Sequence, residues 1–147
     1  MSVTVDANVL VAAARASDIH HAASVEFLCG IEHQHDPLFC PTLVLAECSA
    51  AIARQTDDPL LAERTEALIE GFPHLVLVAL DLTLARRAAR LARDYRLRGA
   101  DSVYLAVAET LGATLITWDG EVLGRGPADV SRLTPIEWLE QSRTDQP

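Results

Sequence analysis

Short runs of β-branched and aliphatic residues recur along the chain, SVTVD (2–6), PLFCP (37–41), HLVLVAL (74–80) and ATLITW (113–118), each separated from the next by one or two helix-length segments. Strands joined by helical crossovers pair in parallel. The pattern therefore calls for an α/β fold, a central, mainly parallel sheet of four to five strands with helices on both faces in three layers. HLVLVAL reads as a buried strand, and DVSRL (129–133) is the candidate fifth.

The intervening segments read as helices. Asn8 is placed to cap a brief helix ending near Arg15, and Ala23, Phe27, Gly30 and Ile31 predict a second from His20 to about Glu32. Thr42 reads as the cap of a third helix reaching Gln55, and Asp57, Asp58 and Pro59 open a fourth that stops at Gly71. From Thr83 to Arg96 the periodicity puts Leu84, Ala88, Leu91 and Tyr95 on one face and Arg86, Arg90 and Arg93 on the other. Gly99 ends that stretch, a nearly apolar helix DSVYLAVAETLG follows, and TPIEWLEQ closes the chain with Thr134 as cap and Pro135 first. No repeat, low-complexity segment or linker divides the chain. Residues 1–141 are expected to form one domain and 142–147 a frayed tail.

At 147 residues, 50% hydrophobic and 22% charged, the chain has the length and composition of a folded domain with a real core. No apolar run approaches the ~20 residues needed to span a bilayer, and the N-terminus lacks a secretory pattern, so a cytoplasmic location is expected. Cys29, Cys40 and Cys48 are an odd number without framework spacing, which suits a reducing compartment. Cys29, His33, His35 and Cys40 are close in sequence but hold no tight pair such as C-x-x-C, so they read as two small core cysteines beside a polar loop rather than as a zinc site. His20, His21 and His74 have no informative spacing. The net charge of −9 argues against a broad basic surface for nucleic acid. All 12 basic residues are arginines, and lysine is absent.

Four acids stand apart from other charges. Asp6 ends the first strand, and Glu47 sits in TLVLAECSAAIA with only Leu43, Val44, Ala50 and Ala51 three or four residues away. Asp101 opens the apolar helix and Asp119 directly follows ATLITW. Taken singly, Asp6 and Asp119 have readings as turn residues and Asp101 as a helix cap, whereas a mid-helix Glu47 in an apolar run has none. Gathering ionised carboxylates in an apolar setting is costly unless a cation is present. Magnesium and manganese take hard oxygen ligands, and carboxylates at strand ends supply them for phosphodiester hydrolysis.

These residues carry a resemblance. VTVDANVLVAA, VLAECSAAI and LRGADSVYLAVAETLGATLITWDGEVL, in this order over nearly the whole chain, resemble the PIN-domain endoribonucleases, particularly the VapC-type toxins of toxin–antitoxin pairs. The resemblance implies a PIN-like fold and Mg2+ or Mn2+ held by Asp6, Glu47, Asp101 and Asp119, with Asn8 and Thr117 supporting. It also implies RNA as substrate, products with 5'-phosphate and 3'-hydroxyl ends, a small antitoxin partner and a homodimer. The segment after Asp119 departs from the family pattern, reading Gly120, Glu121, Val122, Leu123, so Glu121 is expected to share or adjust the last ligand position. The stripe Arg86, Arg90, Arg93 has an ordinary reading as a solvated helix face and a functional one as an RNA or partner contact.

Two other readings compete. A phosphoryl-transfer domain of receiver or haloacid dehalogenase type also places aspartates at parallel strand ends, but those sites use a lysine, and the dehalogenase type favours Asp where this chain has Asn8. A catalytically inactive PIN-like binding module is disfavoured by retention of all four acids.

Overall fold

The computed structural model describes residues 1–145. Five strands, β1 (Val3–Val5), β2 (Leu38–Pro41), β3 (Leu75–Val78), β4 (Thr114–Ile116) and β5 (Arg132–Leu133), form one sheet in the order β3-β2-β1-β4-β5. Every pairing is parallel, as helical crossovers require. The helices are α1 (Ala7–Ala14), α2 (His21–Gln34), α3 (Leu43–Thr56), α4 (Pro59–Glu70), α5 (Leu82–Tyr95), α6 (Gly99–Leu111), α7 (Gly120–Gly124) and α8 (Pro135–Thr144). The arrangement is the expected α/β/α fold.

Burial explains the sequence. Central β1 is fully enclosed, with Val3, Thr4 and Val5 at 0% exposure, and β4 beside it is buried throughout. In α6 every residue from Ser102 to Ala108 is buried, which accounts for its lack of an amphipathic pattern. By contrast α5 buries Leu84, Ala88 and Leu91 and turns its arginines outward. Arg90 meets Glu109 of α6 at 3.1 Å, Arg87 reaches the same carboxylate at 3.5 Å, and Arg93 pairs with Asp94. At the other end Gly30 of α2 lets Trp138 of α8 pack close, since a Cβ there would lie 3.0 Å from the indole.

Several local expectations change. Helix α1 is capped by Asp6, whose carboxylate accepts from the Asn8 backbone N–H; Asn8 lies inside the helix, and its amide is used elsewhere. Thr42 makes no side-chain cap; its hydroxyl accepts from the Leu80 N–H and ties α3 to the end of β3. HLVLVAL is an edge strand rather than a buried one, with Val76 47% exposed, because among the described residues nothing pairs beyond β3. The segment after Asp119 is the short helix α7, not a simple turn. Cys29 is exposed on α2, whereas Cys40 and Cys48 are buried, so the supposed pair of core cysteines beside the loop is one buried and one exposed thiol. Residues 142–144, expected to fray, continue α8, where Arg143 pairs with Glu26; residues 146 and 147 lie outside the described residues. No described helix is long and apolar enough to cross a membrane.

Candidate metal centre

The site follows from the strand order. Leaving central β1, the chain adds β2 and β3 on one side and β4 and β5 on the other, so the crossovers diverge at the carboxyl ends of β1 and β4. Such a switch point opens a crevice. Val5 pairs with Ile116, which sets Asp6 beside Thr117, and the Asp6 N–H donates to the Ile116 carbonyl at 3.0 Å.

A cleft of about 390 Å³ lies there, lined by Asp6, Asn8, Asp18, Glu47, Gln55, Arg98, Asp101 and Asp119 among others. The four acids singled out by sequence are brought together from four separate elements. Glu121 is not: it is exposed and lies 3.8 Å from Arg125. The Arg86, Arg90 and Arg93 side chains are also absent from the cleft lining, since α5 holds them on its outer face.

Asp6 is nearly enclosed, 5% exposed. Thr117 donates its hydroxyl to Asp6 Oδ2 at 2.8 Å, and Asn8 Nδ2 approaches the same oxygen at 3.4 Å. Burial pushes the Asp6 carboxyl up to about 6, the Thr117 bond opposes this, and the neighbouring Asp101 and Glu47 carboxylates add to the rise. Asn8 also bonds Thr117 Oγ1 at 3.1 Å and accepts the Trp118 N–H at 3.1 Å, so one side chain joins the start of α1 to the end of β4. Thr117 Oγ1 in turn accepts the Asp119 N–H at 3.0 Å.

Asp119 caps α7, its Oδ1 accepting from the N–H groups of Glu121 at 2.8 Å and Val122 at 3.4 Å. Its other oxygen accepts from Arg98 at 2.8 Å, and the Arg98 Nε donates to Asp101 Oδ2 at 3.1 Å. Arg98 thus spans two of the four acids, correcting the view of each as unpartnered. Burial raises the Asp101 carboxyl above its usual range, with the Arg98 contact opposing. Glu47 differs again: its Oε1 is buried with no hydrogen-bond partner, and so is the Tyr104 hydroxyl. Burial and the adjacent Glu47 carboxylate push the Tyr104 phenol upward.

Sequence reasoning missed Asp18, Gln55 and Arg98. Asp18 and Gln55 carry no local signal, because they reach the cleft from the α1–α2 loop and the last turn of α3. Arg98 was visible in principle, three residues before Asp101. Among the described residues, no three His, Cys, Asp or Glu side chains already stand close enough to hold a metal ion. The donor chemistry nevertheless fits a hard cation: five carboxylates face one cleft with a single guanidinium lining it, and a buried oxygen of Glu47 makes no well-formed hydrogen bond.

The sequence matches the PIN domain family over residues 3–125. No curated protein matches the chain. Among solved structures, VapC20 of Mycobacterium tuberculosis, described as a Sarcin-Ricin loop cleaving toxin, superposes with a TM-score of 0.70 at 16% identity, covering 83% of this chain and 93% of that one. VapBC2 from Rickettsia felis, bound to a promoter DNA fragment, gives 0.70 at 13% identity over 91% and 98%. A toxin–antitoxin complex from Klebsiella pneumoniae gives 0.68 at 16% identity over 90% and 97%. At these identities the likeness to the solved structures is one of fold. The match to the family itself spans most of the chain, from the first residue of β1 to the end of α7, and the protein belongs to the PIN domain family.

Proposed function

We propose that this protein is a divalent-metal-dependent endoribonuclease acting as the toxin of a type II toxin–antitoxin pair. The observation that carries the reading is the convergence of Asp6, Glu47, Asp101 and Asp119 on one cleft at the switch point of the sheet. These four would hold Mg2+ or Mn2+. When bound, such a cation favours deprotonation of water and offsets charge on phosphate oxygens.

The protein's own residues supply the order this chemistry needs. Thr117 and Asn8 fix the Asp6 carboxylate, and α7 fixes one oxygen of Asp119, so neither must be immobilised during reaction. Arg98 lines the cleft, and Arg15 donates to Gln55, one of the lining residues, at 2.6 Å; both would contact the RNA backbone. They answer the objection raised by the overall acidity, since a local pair of arginines suffices for grip where a broad basic face is absent. Asn8, rather than aspartate, and the lack of lysine weigh against phosphoryl-transfer alternatives.

A protein antitoxin is the proposed partner, in line with the toxin–antitoxin assemblies among the structural neighbours. An apolar groove of about 280 Å³ between α1, α2 and α4, lined by Leu10, Val25, Leu28, Leu68 and Phe72, suits an apolar helix. A homodimer is supported by the exposed β3 edge and its flank, where Val76, Leu80 and Leu82 are 47%, 37% and 65% exposed. The proposed substrate places its action in the cytoplasm.

Purified protein incubated with defined RNAs, with and without Mg2+, beside Asp6→Asn, tests the reading. Metal-dependent cleavage lost in the variant is expected. Cleavage without metal, or equal cleavage by the variant, overturns the mechanism; binding of RNA with no cleavage under any condition points to the inactive module.

A further inference from the structure

The His20 ring lies parallel to the Trp118 indole, with centroids 3.9 Å apart and an interplanar angle of 10°. Both partners are tied to the carboxylate cleft. Trp118 immediately precedes Asp119; its backbone N–H donates to Asn8, and its indole N–H donates to Ser24 Oγ at 2.9 Å, where Ser24 is 0% exposed. The His20 backbone N–H donates to Asp18 Oδ1 at 2.8 Å, and Asp18 lines the cleft. Neither ring nitrogen of His20 bonds another described residue, and neither is buried. The adjacent Ile19 is 92% exposed. Elsewhere the large aromatics serve the core: Phe27 packs edge-on against Trp138, and Tyr104 is enclosed. Trp118 packs in part against the core, and the pair is joined to the acidic cleft through its neighbours Asp18 and Asp119.

We propose that the His20–Trp118 pair is a stacking subsite for an unpaired nucleobase of the RNA next to the cleaved phosphate. The inference rests on the ribonuclease reading and deepens it by assigning the side chains that hold a substrate base. Every base presents a π-face, and unpaired bases are held by stacking on His and Trp side chains. Trp118, clamped at its backbone and its indole nitrogen, is a fixed backing plate. His20 would meet the base, and its free ring nitrogens are available to the polar edges of that base. Stacking also suits this molecule's charge. In a chain of net charge −9, Arg98 in the cleft and Arg15 on its lining Gln55 make few phosphate contacts, and a neutral base face adds binding that the acids do not oppose.

The test uses the full-length protein and short single-stranded RNAs. His20→Ala is expected to raise KM about fivefold or more beyond any fall in kcat, and His20→Tyr to restore it while His20→Leu does not. In the Asp6→Asn background, RNA affinity measured by anisotropy should fall by the same factor when His20→Ala is added. An abasic nucleotide walked along the RNA should weaken binding at one position beside the cleaved linkage in the wild type, and not in His20→Ala. Wild-type cleavage with unchanged KM in His20→Ala, or an abasic effect that persists in that variant, overturns the stacking subsite and leaves the nuclease reading intact. Absence of any RNA binding or cleavage by the wild type overturns both.

Discussion

Asp6 is held in a state that costs folding energy. Its carboxyl is pushed from 3.8 up to about 6, mainly because burial removes solvent from the charged form. A folded value above the unfolded one means that the stabilising contribution is complete below about pH 4 and is lost as pH rises through about 6. At neutral pH the charged, buried form is worse than the unfolded reference by roughly 3 kcal/mol. In chelator, Asp6→Asn should therefore melt roughly 10 °C higher than wild type at pH 7, with the difference vanishing near pH 4. Thermal melts across that range check it; a variant less stable than wild type at pH 7 contradicts the assignment of burial as the cause. Arg98 shows how a second pair of acids is made tolerable, by one guanidinium spanning Asp101 and Asp119. These four acids were legible in the sequence because each interrupts an apolar stretch. Arg98's hold on Asp119, 21 residues away, was not, because only the fold brings α6 to the end of β4.

At the scale of elements, the junction of α1 with β4 depends on Asn8. Its amide donates to Thr117 and accepts from Trp118, stitching residues more than a hundred positions apart. Asn8→Ala leaves the part-buried Trp118 N–H without its acceptor, and we expect a loss of about 1–3 kcal/mol in denaturant unfolding, together with weaker cleavage as Asp6 and Asp119 lose their common tie. Unchanged stability and activity would show that the stitch is incidental. The sequence marked Asn8 as a cap because cap and first-turn positions share the same residue preferences; the hydrogen bonds place the cap at Asp6. Helix α7 escaped notice for a related reason. Its five residues are too few for periodicity, and its existence rests on the cap that Asp119 provides. The strands were legible in type, but burial of β3 was not, since edge or centre is decided by strand order and not by hydrophobicity.

For the whole molecule, charge is distributed against the substrate we assign. The arginines of α5 are engaged by Glu109 and Asp94 or lie on the outer face, leaving Arg98 in the cleft and Arg15 on its lining Gln55. The affinity for single-stranded RNA should accordingly depend weakly on salt, with a slope of log K against log salt of about −1 to −2, and Arg90→Glu with Arg93→Glu should leave it unaltered. A steep slope, or a loss in that double variant, returns the α5 stripe to the binding surface. The central claim is that the converging carboxylates form one divalent-cation site. Calorimetric titration of wild type and Glu47→Gln with Mn2+ in the absence of RNA tests it most directly. The account predicts saturable binding by the wild type, weakened by about tenfold or more in a variant that melts normally. Equal affinity in the two proteins would contradict it.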